Sequence, residues 1–142
     1  MKKLIVGITF SFIASIAITT IFPTISWEDK LSTLYAVAGI MFSIGMSIIV
    51  TTTFAKVKNS TIRERINKAF SKVRNSYILY FLTISVLYMF DNEPSAPICV
   101  YRGLYFDYSL FVGLTILLSI LFFVINFLEL QRLNKQIDEA LE

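Results

Sequence analysis

The 142-residue sequence contains no histidine and a single cysteine, Cys99. Without histidine, zinc or haem ligation through imidazole and a Ser-His or Cys-His nucleophile are both excluded, and a lone cysteine makes no disulfide within its own chain. Cys99 is left either as an unpaired structural thiol or as a thiol that pairs with a neighbouring copy in an oxidising compartment. Charge is missing in a more telling place. Residues 4–22, 31–54, 77–90 and 110–128 form four apolar stretches without one Asp, Glu, Lys or Arg. An ionisable group in a bilayer costs at least a few kcal/mol, so stretches this clean belong in lipid. A coupled exporter normally needs a carboxylate inside the membrane and a transporter fold needs internal repeats. The sequence has neither, so active transport is not expected.

What charge there is lies on one side. Of the 13 Lys and Arg residues, Lys2 and Lys3 precede the first stretch, and Arg132 and Lys135 follow the last. Seven more (Lys56, Lys58, Arg63, Arg65, Lys68, Lys72 and Arg74) fall between the second and third, leaving Lys30 and Arg102 opposite. With four spans, the positive-inside rule puts both termini and the central loop in the cytoplasm of a bacterial inner membrane. The second outer loop offers only Asp91, Glu93, Arg102 and Asp107 for chemistry, so the chain is expected to be neither an enzyme nor a cofactor or metal protein. Its net charge of +3 sits against membrane spans and points to lipid headgroups, with no nucleic acid expected as a partner.

The predicted fold is all-α, a single four-helix transmembrane domain over 1–142 with spans at about 4–22, 31–54, 72–90 and 108–129. Met1-Lys2-Lys3 and a short apolar run, with Ser15 and Ala17 spaced like a cleavage site, resemble a secretory signal; the expectation is an uncleaved anchor. Ser26 and Asp29 have the spacing of a capping box before the second span, and Trp27 marks the outer interface. The third stretch has 14 residues, which rise only about 21 Å and do not cross alone. Ile62, Ile66, Ala69, Phe70, Val73 and Tyr77 recur at helical spacing, so one helix is predicted from about Thr61 to Phe90. Its basic part, about 61–75, lies on the cytoplasmic side with Lys72 and Arg74 snorkelling. Residues 98–101 are β-prone. Beyond the fourth span, Leu130, Leu133, Ile137 and Leu141 extend the helix as an amphipathic cytoplasmic tail, 130–141.

Three constellations are candidates for function. Gly7, Ser11, Ser15 and Thr19 recur every four residues in span one, as do Gly39, Ser43, Ser47 and Thr51 in span two. Small residues let backbones approach in lipid, so the two stripes either pack against each other within one subunit or one of them, span two's, lines a water path in a homo-oligomer. Span four carries Thr115, Ser119 and Asn126 on one face. Asn126 is expected either in an interhelical hydrogen bond or at a pore or gate. The third candidate is the basic inner face, Lys56, Lys58, Arg63, Arg65, Lys68, Lys72 and Arg74. It is opposed by an acidic tail with Glu129, Asp138, Glu139 and Glu142, which predicts docking of the two helices, and it would face lipid or a cytoplasmic protein partner.

Four charge-free spans, a second span opening Leu31-Ser32 then Tyr35-Ala36, and a tail with Leu130, Leu133 and Asn134 together resemble RexB-type proteins, the membrane components of the phage lambda exclusion system. That resemblance implies an ion-channel-like protein that depolarises the inner membrane when a cytoplasmic partner senses infection. No functional residue is carried over from it.

Overall fold

The computed structural model of the chain describes residues 2–22, 28–51, 60–91, 97–101 and 103–139. It is helical, with α1 Lys2–Ile21, α2 Glu28–Thr51, α3 Ser60–Met89 and α4 Tyr108–Glu139. A short hairpin, β1 Ile98–Tyr101 and β2 Leu104–Phe106, separates α3 from α4. The all-α expectation therefore gains one element. Residues 98–101 form a strand because a partner three residues on can pair with them, and Gly103, at φ 92°, turns the chain in a conformation that a side chain disfavours.

Three helices, α1, α2 and α4, are long and apolar enough to cross a membrane. α3 is not one of them, for the reason visible in its sequence: its first half is basic, and its apolar residues 77–89 rise only about 20 Å. The helix is unbroken across that change of character. α4 has 32 residues, so its apolar span and its tail form one rod about 48 Å long.

α4 is central, packing against α1, α2 and α3, while α2 also packs against α3 and α1 also packs against β2. Near the hairpin, Leu31, Ala38, Ile84, Phe111, Val112 and Ile116 form one buried layer. At the opposite end Ile49, Phe70 and Leu130 form a second. There the basic half of α3 meets the α4 tail through apolar contacts, with Ile66, Val73 and Leu133 around the layer. The ion pair seen on that face, Lys68 Nζ to Glu64 Oε1 at 2.7 Å, lies within α3. Charge complementarity predicts docking, and the two helices meet through the hydrophobic packing of this layer; the side chains of Asp138, Glu139 and Glu142 lie outside the described residues.

Local hydrogen bonds fix the hairpin end. Asp107 caps α4, accepting from Leu110 N at 3.1 Å through its carboxylate. Ser109 Oγ donates to Asp91 Oδ1 at 2.8 Å and Tyr108 Oη to the Leu87 carbonyl at 2.9 Å, tying the start of α4 to the end of α3. Outward, α1 exposes Ile5, Val6, Phe10 and Ile13, and α3 exposes Leu82 and Val86. So extensive an apolar surface is compatible with a membrane location.

Candidate functional site

The hydroxyl stripes separate by where the bundle puts them. On α1, Ser11 and Ser15 are 0 % exposed and Thr19 is 3 % exposed. This face packs on α4 and the hairpin, and Ser15 Oγ donates across the interface to the Asp107 carbonyl at 3.0 Å. Thr20 Oγ1, one residue after Thr19, accepts from Tyr105 N of β2 at 3.3 Å. Ser11 Oγ and Thr19 Oγ1 are buried without a hydrogen-bond partner among the described residues.

On α4, Thr115 and Ser119 are also buried, each donating to the carbonyl four residues earlier, those of Phe111 and Thr115. They border a narrow cleft with Gly7 and Thr83, between α1, α3 and α4. Its volume of about 20 Å³ holds roughly one water. A Cβ added at Gly7 meets nothing within 4 Å, so this glycine opens the cleft and does not bring backbones together. Asn126 is half-buried and donates through Nδ2 to the Phe122 carbonyl of its own helix at 2.7 Å. Among the described residues no interhelical bond from Asn126 is seen; the carbonyl one turn back lies within reach and takes a proton of its Nδ2.

α2 differs. Ser43, Ser47 and Thr51 are exposed, and Gly39 is half-buried. Ser43 donates to the Gly39 carbonyl at 2.9 Å and Thr51 to the Ser47 carbonyl at 2.8 Å, both within their own helix. The stripes of α1 and α2 do not pack against each other. α1 packs mainly on α4, and α2 turns its own stripe out of the bundle.

The other face of α2 shows what sequence reasoning missed. Tyr77 of α3 is 0 % exposed, and its ring lies so close to Gly45 that a Cβ there would overlap it. Tyr77 Oη then donates to the Phe123 carbonyl of α4 at 2.6 Å, joining three helices at one residue. Above it, Phe42 stacks on Phe81 at 4.4 Å, and Tyr35 stacks on Tyr88 at 4.4 Å while bonding Ser85 at 2.8 Å. The signal was available: a glycine inside a helix costs about 1 kcal/mol, so Gly45, off the stripe of its helix, implies a close neighbour.

No family model, no curated protein and no solved structure matches the chain. Its chemistry is therefore read from its own residues.

On the basic face, Arg63, Lys68, Lys72 and Arg74 are exposed. Lys56 and Lys58 lie outside the described residues, as do Ser26, Trp27 and the side chains of Asp29, Arg65, Asp138, Glu139 and Glu142. Cys99 is exposed on β1. Among the described residues no group of His, Cys, Asp or Glu is placed to hold a metal ion.

Proposed function

We propose that the chain is a homo-oligomeric bacterial inner-membrane protein that forms or gates an ion-conducting pathway, acting as an effector or sensor in antiviral defence. In this reading the apolar half of α3 is the fourth span and both termini are cytoplasmic, as the one-sided basic residues require. The observation that carries it is the outward hydroxyl stripe of α2, Ser43, Ser47 and Thr51, beside a bundle whose cleft between α1, α3 and α4 admits about one water. A path for ions then runs between copies, lined by these hydroxyls. The defence role is supported by the resemblance to RexB-type proteins alone. The test is ion flux in liposomes containing the purified protein, together with membrane potential in cells overproducing it. Flux and depolarisation are expected; normal values for both, with and without a candidate activator, rule the reading out.

A second reading, a non-conducting anchor that recruits a cytoplasmic protein, is favoured by one observation. Phe70 and Leu130 brace the basic face of α3 against α4, holding it as a firm platform. Charge reversal at Arg63, Arg65 and Lys68 separates the two: loss of partner recovery with polarisation unaffected identifies an adaptor.

A further inference from the structure

What holds α1 in the bundle changes along its length. Among the described residues of α1 the buried side chains are all hydroxyls, Ser11, Ser15 and Thr19, and none of its apolar side chains is fully buried. Apolar side chains gain little by leaving lipid tails for one another, so such a helix is held by close contact and by polar bonds. The bonds α1 shares with other elements, Ser15 Oγ to the Asp107 carbonyl and Tyr105 N to Thr20 Oγ1, lie in its C-terminal half. Its ring contacts, from Phe12 to Phe106 at 5.2 Å and to Phe111 at 6.0 Å, join the same half. The N-terminal half is the reverse. Leu4, Gly7 and Ile8 border the cleft against α3 and α4, and Ser11 Oγ is buried without a partner. By contrast α2, α3 and α4 are locked together by Tyr77 and by stacked rings, Phe42 on Phe81 and Tyr80 on Phe122.

We propose that α1 is a hinged gate. Its C-terminal half stays on α4 and β2, while its N-terminal half swings from α4, widens the cleft and admits water to Ser11, Thr115 and Ser119. The closed position leaves the Ser11 hydroxyl unpaired, and water in the open position supplies the missing partner. Little opposes the motion. Gly7 brings no side chain to the cleft, where even a Cβ would meet nothing within 4 Å, and Ile8 exchanges apolar neighbours for lipid. From Ser15 to Leu4 the helix rises about 16 Å, so a tilt of about 20°, ordinary for a membrane helix, moves Leu4 by about 6 Å. That shift is roughly two water diameters. Thr115 and Ser119 spend their protons on carbonyls of α4 and keep lone pairs for the entering water. The inference rests on α1 crossing the membrane and is independent of conduction.

The test is pulsed dipolar EPR between pairs of nitroxide labels on the full chain in lipid nanodiscs. It uses a Cys99→Ser background, with labelled copies diluted into unlabelled ones. Labels at Ile5→Cys and Ile125→Cys, exposed positions on α1 and α4, read the N-terminal half, and Ile21→Cys with Met89→Cys, also exposed, read the C-terminal half. Two distances about 6 Å apart are expected from the first pair and one distance from the second. Ser11→Ala removes the unpaired hydroxyl from the closed position and should lower the open-to-closed ratio about fivefold, the low end of that penalty. Ser119→Cys, alone in the same background, should react with a charged thiosulfonate added in water, and more slowly when combined with Ser11→Ala. A single narrow distance at both pairs overturns the proposal, as does equal spread at both, which marks motion without a hinge. A ratio unmoved by Ser11→Ala overturns it too, and so does a Ser119→Cys thiol that never reacts. Two distances retained in a protein that gives no ion flux would remove the conducting reading and leave the gate.

Discussion

Close approach is paid in side-chain volume at Gly45, where the ring of Tyr77 occupies the space a methyl group would need. Gly45→Ala is expected to cost about 1 to 3 kcal/mol as overpacking. Tyr77→Phe removes only the bond to the Phe123 carbonyl, about 0.6 to 1.7 kcal/mol inside a membrane protein. Tyr77→Leu should relieve much of the cost of Gly45→Ala, so the double variant is less damaged than the sum of the two singles. Equilibrium unfolding in detergent reads all four corners of that cycle, and strict additivity would show that the two residues do not touch. Ser11 and Ser15 give a second comparison, since both are fully buried one turn apart on α1. Ser15→Ala loses a cross-interface bond and should cost about 1 kcal/mol. Ser11→Ala deletes an unpartnered hydroxyl and should be neutral or stabilising in the same melts.

At the scale of the element, α3 is the helix whose two halves suit different solvents. Arg63, Lys68, Lys72 and Arg74 keep its first half at a water or headgroup surface, and residues 77–89 are apolar. Backbone hydrogen bonding leaves no reason for the helix to break at the change, because a helix satisfies its own amides in either medium. Its orientation is open to a direct measurement that uses the single native thiol. Cys99 is exposed on β1, so a membrane-impermeant maleimide added to spheroplasts is expected to label it. In a Cys99→Ser background, Lys68→Cys should stay unlabelled until the membrane is permeabilised. Labelling of Lys68→Cys from outside would reverse or remove the crossing proposed for α3.

For the whole molecule, the conduction proposed above requires more than one copy, because the cleft between α1, α3 and α4 admits about one water. Leu substitutions at Ser43 and Ser47 touch an exposed face of α2, so they should change stability by only about 0.5 kcal/mol. The same changes remove hydroxyls from the proposed path between copies, and flux in liposomes should drop to the background of protein-free vesicles. Native mass in detergent provides the independent check, with multiples of 16.2 kDa expected and a strict monomer fatal to conduction between subunits. Retained flux in the Leu variants would move the path away from α2.

Read along the chain, the residues by themselves announced long apolar helices, a basic half of α3 continuous with an apolar one, a β-prone segment at 98–101 and a lopsided distribution of lysine and arginine. These are properties of medium: each residue's cost in oil or water is set by its own side chain, and periodicity reports which sides of a helix differ. Tertiary structure alone decided which partner each side meets. The stripes of α1 and α2 carry the same residue types at the same four-residue spacing, yet one is buried against α4 and the other faces outward. Asn126 turned to its own helix, and Gly45 found Tyr77. In lipid, apolar side chains gain little by leaving the tails for one another, so hydrophobicity along a helix cannot rank its possible neighbours, and the choice falls to shape and to single hydrogen bonds between residues far apart in the chain.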